Sequence, residues 1–328
     1  MEILVLHPGA LGDIILALPA LCLLKERLPH ARLTLAGNGD FFAPARGIAD
    51  RLISLSVVPL HRLFGDAALP ADDLAFWRTF DRVLSWTGSG NPRLENRLKE
   101  VVSIVLVAGW QPLPGEPRHV SRIFVDTLRP WLTDVGDPEP PCIRPCQDDV
   151  GRARAWFEEN GVDPGGQLVA LHPGAGNEPK RWPLCRFREL AHTLLEQTAV
   201  RLLTIEGPAE MGVGRALAEG LPARRCFLAG NLPLGTVGAL LRRCVLYIGN
   251  DSGVSHLAAA LGVPSVVLFG PTDPGHWAPL GRGVRVLRKS VRCLGCEGVP
   301  AAAHRCMDNL TVPEVWDQVR LTAEIWNP

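Results

Sequence analysis

Two kinds of apolar pattern alternate along the chain. Short, mostly apolar runs at residues 3–5, 32–36, 82–86, 103–107, 168–171, 201–205, 245–248 and 265–269 read as strands of buried sheets. Between them, residues 14–28, 148–160, 187–197, 212–218 and 255–261 carry apolar positions at helical spacing, and residues 312–326, with Pro313 at a helix start, form a last amphipathic helix. Alternating strands and helices predict an α/β protein with parallel sheets. The pentapeptide Leu-His-Pro-Gly-Ala occurs at 6–10 and again at 171–175, each time directly after a strand. Residues 136–145 hold four prolines and read as a linker. The expected architecture is therefore two Rossmann-like, doubly wound domains facing a cleft, at 1–145 and 146–328.

Composition narrows the classes. The 328 residues include 34 Lys plus Arg against 34 Asp plus Glu, with 47% hydrophobic and 21% charged side chains, which argues for a folded protein and against a nonspecific nucleic-acid binder. The balance conceals an asymmetry, since residues 1–150 hold 15 basic and 18 acidic side chains and the remainder 19 and 16. No apolar stretch reaches the roughly 20 residues of a membrane span. Nine cysteines spread over this length, with no basic leader at the start, predict a reduced, cytoplasmic protein.

Chemistry is expected where strands end. Gly9-Ala10-Leu11-Gly12-Asp13 lies between the first strand and helix and is not a dinucleotide fingerprint. Asp13 can be read as the cap of a helix starting at residue 14 or as a general base held ionised by that helix end; the residues alone leave both open. In the same half as Gly12, Arg62, Arg118 and Arg122 could meet acidic sugars or phosphates.

In the second half, Gly174-Ala175-Gly176 is followed by Lys180 and Arg181, and Asp251-Ser252-Gly253-Val254 precedes a helix containing His256. Both suit a diphosphate, through backbone amides and positive charge. Glu206 and Glu210, beyond the next strand, compete as the acid for a ribose. Cys293, Cys296, His304 and Cys306 could supply four zinc ligands, but their spacing fits a reduced turn or a labile disulfide better, and no metal is expected.

Taken together, L-H-P-G-A-L-G-D-I-I-L-A-L-P-A-L-x-x-L-K, H-P-G-A-G-x-x-x-K-R-W-P and N-D-S-G-V-S-H-L-A-A-A-L-G-V-P-S-V-V-L-F-G-P-T-D-P resemble the ADP-heptose:lipopolysaccharide heptosyltransferases of glycosyltransferase family nine. The resemblance implies a GT-B enzyme with the acceptor on the N-terminal half and the nucleotide sugar on the C-terminal half. It implies inverting, metal-independent transfer of heptose from ADP-L-glycero-β-D-manno-heptose to a lipopolysaccharide core precursor, without a cofactor. Asp13 would be the base, Lys180 the phosphate-contacting lysine, and Asp251, Ser252, Gly253 and His256 the diphosphate turn. It also implies a cytoplasmic enzyme that can touch the inner-membrane surface peripherally. The competing expectations are a nucleotide-sugar epimerase of similar shape, a heptosyltransferase with another acceptor, and a non-catalytic nucleotide-sugar binder.

Overall fold

The computed structural model describes residues 1–163, 165–289 and 306–322. The chain divides into two compact units, Met1–Pro141 and Cys142–Pro328. The first contains β1 (Glu2–Leu6), α1 (Leu11–Arg27), β2 (Arg32–Gly37), β3 (Arg51–Ser54), α2 (Ala71–Trp77), β4 (Arg82–Ser85), α3 (Pro92–Val101), β5 (Ile104–Val107) and α4 (Val120–Asp126). The second contains α5 (Gln147–Glu159), β6 (Leu168–His172), α6 (Leu184–Gln197), β7 (Arg201–Glu206), α7 (Val213–Ala218), β8 (Cys226–Gly230), α8 (Leu234–Leu241), β9 (Cys244–Asn250), α9 (Gly253–Ala260), β10 (Ser265–Phe269), α10 (Pro274–Trp277), β11 (Val284–Arg288) and α11 (Val312–Thr322). Residues 136–145 form neither helix nor strand.

Both sheets are wholly parallel, in the orders β3-β2-β1-β4-β5 and β11-β10-β9-β6-β7-β8. This is the two-domain, doubly wound α/β class expected. Chain order reverses between β1 and β4 in one sheet and between β6 and β9 in the other. Open α/β sheets hold ligands outside the carboxyl ends of strands at such switch points. The repeated pentapeptide ends β1 and β6, so each copy lies at its own switch point.

The central strands are continuous apolar runs because both faces are covered. Residues Leu4 and Leu6 pack with Trp77, Leu94 and Leu98 in the first unit, and Val169 and Leu171 pack with Phe187, Leu190 and Val315 in the second. Two of the helix starts that differ from expectation carry candidate chemistry. Helix α1 begins at Leu11 with Ala10 as its cap, so Asp13 is the third helical residue and not the cap. Helix α9 begins at Gly253, capped by Ser252, two residues before the expected start. Gly and Ala in these turns hide the helix start from an apolar-pattern reading.

Candidate active site

At the β1 switch point two side chains fold onto one turn. The Ala10 amide donates to Asp13 Oδ2 at 2.8 Å, half of a capping box that Ala10 has no side-chain oxygen to complete. The preceding amide, of Gly9, donates to His7 Nδ1 at 3.1 Å. A Cβ on Gly9 would lie 2.5 Å from Asp13 Cβ and 2.6 Å from His7 Cε1, so only glycine lets the two side chains close over the turn. The His7 ring is 1% exposed, stacked on Trp110 and Phe124 and met edge-on by Trp86. Burial pushes its pKa down to about 4, which makes it a neutral imidazole at physiological pH.

The turn after β6 is built differently. His172, also 1% exposed, bonds through Nε2 to Glu210 Oε1 at 2.8 Å and through Nδ1 to Ser252 Oγ at 3.2 Å. The hydrogen bond from His172 holds the Glu210 carboxyl below the usual carboxylate range against the opposite pull of burial. Gly174 packs so tightly on this pair that a Cβ would lie 2.4 Å from Glu210 Oε1. Fully buried Asn250, the last residue of β9, donates to the Pro173 and Gly174 carbonyls and accepts from the Trp182 amide, which ties the two switch-point loops together.

Charge sits on this frame. Lys180 Nζ lies 2.7 Å from Asp251 Oδ2, with the lysine part-exposed and the aspartate nearly covered. Arg181 donates twice to the Ala175 carbonyl, at 3.0 and 3.2 Å, and so fixes the glycine loop from behind. Next in the chain after Asp251, Ser252 opens α9, whose first amides, of Gly253 and Val254, precede the helix's own hydrogen-bond ladder. Lys180, Arg181, Gly174, Ala175, Gly176, Asp251 and Ser252 are thus on the two loops that follow β6 and β9, with Gly253 and Val254 opening α9. A cation beside helix-start amides can hold an anionic group.

The remaining sequence candidates are placed as follows. Glu206 Oε2 accepts from the Gly214 and Arg215 amides at the start of α7, while Glu210 faces His172. His256 is buried within α9. Arg62 pairs with Asp73 at 3.2 Å, and Arg118 and Arg122 share Asp126, with Arg118 also on Glu116 and Arg122 on Asp137. These partly exposed pairs are weak enough to exchange with an anionic ligand. Of the four candidate zinc ligands, Cys306 is buried and the other three, Cys293, Cys296 and His304, lie outside the described residues. A cavity of about 800 Å³, lined by Val150, Ala153, Phe157, Arg154 and Arg242, opens beside Leu168 at the amino edge of the second sheet, the edge opposite the Gly174 turn. Sequence reasoning passed over His7, His172 and Asn250, although the histidine recurs in both pentapeptides.

Comparison with known proteins assigns the family. The model of glycosyltransferase family 9 (heptosyltransferase) matches residues 121–304. Lipooligosaccharide heptosyltransferase 2 of Haemophilus influenzae is 34% identical over 125 residues, which is 37% of this chain and about a third, 36%, of that relative. Lipopolysaccharide heptosyltransferase 2 of Salmonella typhimurium is 25% identical over 88% of both chains. The structure of E. coli ADP-heptose lps heptosyltransferase II superposes with a TM-score of 0.74 at 18% identity, covering 98% of each chain. The chain belongs to glycosyltransferase family 9, the heptosyltransferase family.

Proposed function

We propose that this glycosyltransferase moves a heptose from an ADP-linked heptose onto a lipopolysaccharide core acceptor, with inversion at the anomeric carbon. The observation that carries the reading is the pair of loops at the β6/β9 switch point, where Lys180, Ser252 and the first amides of α9 converge on one edge. The names of the Salmonella and E. coli relatives support the choice of donor and acceptor.

On this reading the diphosphate takes the Gly174–Gly176 loop and the α9 start. Lys180, held until then by Asp251, turns its ammonium to the phosphates, and Glu206 and Glu210 border the ribose. The acceptor hydroxyl attacks the anomeric carbon from the face opposite the leaving group. As the carbon–oxygen bond forms, the Asp13 carboxylate takes the hydroxyl proton while the bond to the phosphate oxygen breaks and ADP carries away the electron pair. Lys180 and the α9 amides stabilise the charge that builds on ADP, so the reading calls for no catalytic metal ion.

The test is ADP release from ADP-heptose against acceptors of graded core length, with NMR of the product's anomeric configuration. The reading expects ADP only when a core acceptor is present, an inverted linkage, and activity that survives chelation of divalent ions. A nucleotide that stays attached to an altered sugar would indicate an epimerase. Binding without release against every acceptor would indicate a non-catalytic binder.

A further inference from the structure

We infer that His7 is a positioning residue for Asp13, acting through the Gly9 amide that its imidazole holds. The inference rests on the reading of Asp13 as the base.

Three observations carry it. First, two consecutive amides of one turn are held by two side chains, Gly9 by His7 Nδ1 and Ala10 by Asp13 Oδ2, and the side chains meet across Gly9. Movement of either one shifts the turn that sets the other. Second, the ring accepts at Nδ1, so the neutral imidazole carries its proton on Nε2, and Nε2 is buried with no hydrogen-bond partner among the described residues. A group that only filled the space between Trp86, Trp110 and Phe124 would be better served by an apolar side chain, which leaves no buried donor unsatisfied. What histidine adds over phenylalanine is the Nδ1 acceptor. Third, that acceptor exists only on the neutral ring, and burial keeps the ring neutral.

The experiment uses the full chain and measures kcat for ADP release, ADP affinity by calorimetry and melting temperature. His7→Phe should lower kcat by about tenfold or more with ADP affinity unchanged, because a base displaced by a fraction of an ångström loses much of its effect. His7→Asn, whose Oδ1 can accept the Gly9 amide, should recover most of the loss. Gly9→Ala drives a Cβ between His7 and Asp13 without opening the aromatic core, and should lower kcat in the same way. Wild-type kcat in a folded His7→Phe or in Gly9→Ala, or a His7→Asn enzyme no better than His7→Phe, would overturn the inference. Asp13→Asn, run in parallel, separates the two levels. If it keeps its turnover, the base reading has failed. If it loses turnover while the other variants do not, only the positioning role has failed.

Discussion

The same five residues, Leu-His-Pro-Gly-Ala, end β1 and β6, yet their histidines have opposite surroundings. His7 is enclosed by three aromatic rings and accepts at Nδ1 from an amide two residues on. His172 is enclosed by a carboxylate and a hydroxyl from distant loops. The first turn is closed on itself and presents one acid, Asp13. The second is tied to its neighbours by Glu210, Ser252 and Asn250 and presents amides and a lysine. A shared strand-to-helix turn fixes where chemistry can occur, and the partners brought by other strands decide which sign of charge is offered.

The contrast can be broken in measurable steps. The largest effect concerns the apolar box. The His7 pKa is about 4 when folded, against 6.5 for an unperturbed histidine, so the unfolded chain binds a proton between these values that the folded chain does not. Stability is therefore intact above pH 6.5 and falls as pH drops towards 4, by up to about 3 kcal/mol. Melting curves across this range should show a limb in the wild type that is flattened in His7→Asn. An unchanged limb would mean that the aromatic box is not what holds the ring neutral.

A smaller effect is expected from the polar turn. Gly174→Ala places a methyl group against the Glu210 carboxylate, and such overpacking costs about 2 kcal/mol. Because the displaced groups carry Ser252, ADP affinity should fall with stability, whereas acceptor-side behaviour should not. A smaller change again is Lys180→Ala, with ADP binding weakened about tenfold by loss of a charge-assisted contact. Asp251→Asn, which leaves the lysine in place, should weaken ADP less. Equal losses in the two variants would make the pair a structural bridge and not a donor contact.

Much of this was legible in the chain. Strands β6 and β10 stood out because burial on both faces makes them unbroken apolar runs. Edge strands β3 and β11 did not, since Arg-Leu-Ile-Ser or Val-Arg-Val-Leu-Arg mixes polar and apolar positions at the exposed sheet margins. The loops bearing Asp13, Lys180 and Ser252 could be read from small residues after strands. The two histidines could not be told apart, because Trp86, Trp110 and Phe124, or Glu210 and Ser252, join them only through the fold. Pairing of Arg118 and Arg122 on Asp126 was hidden for the same reason.

The central claim is that the β1 turn supplies the base while the β6 turn binds the donor. Turnover and ADP affinity measured on one preparation of Asp13→Asn test it most directly. The account predicts a loss of at least about a hundredfold in kcat, the scale of general-base catalysis, with ADP affinity and melting temperature close to wild type. Turnover near the wild-type rate, or a loss that follows weakened ADP binding, would contradict it.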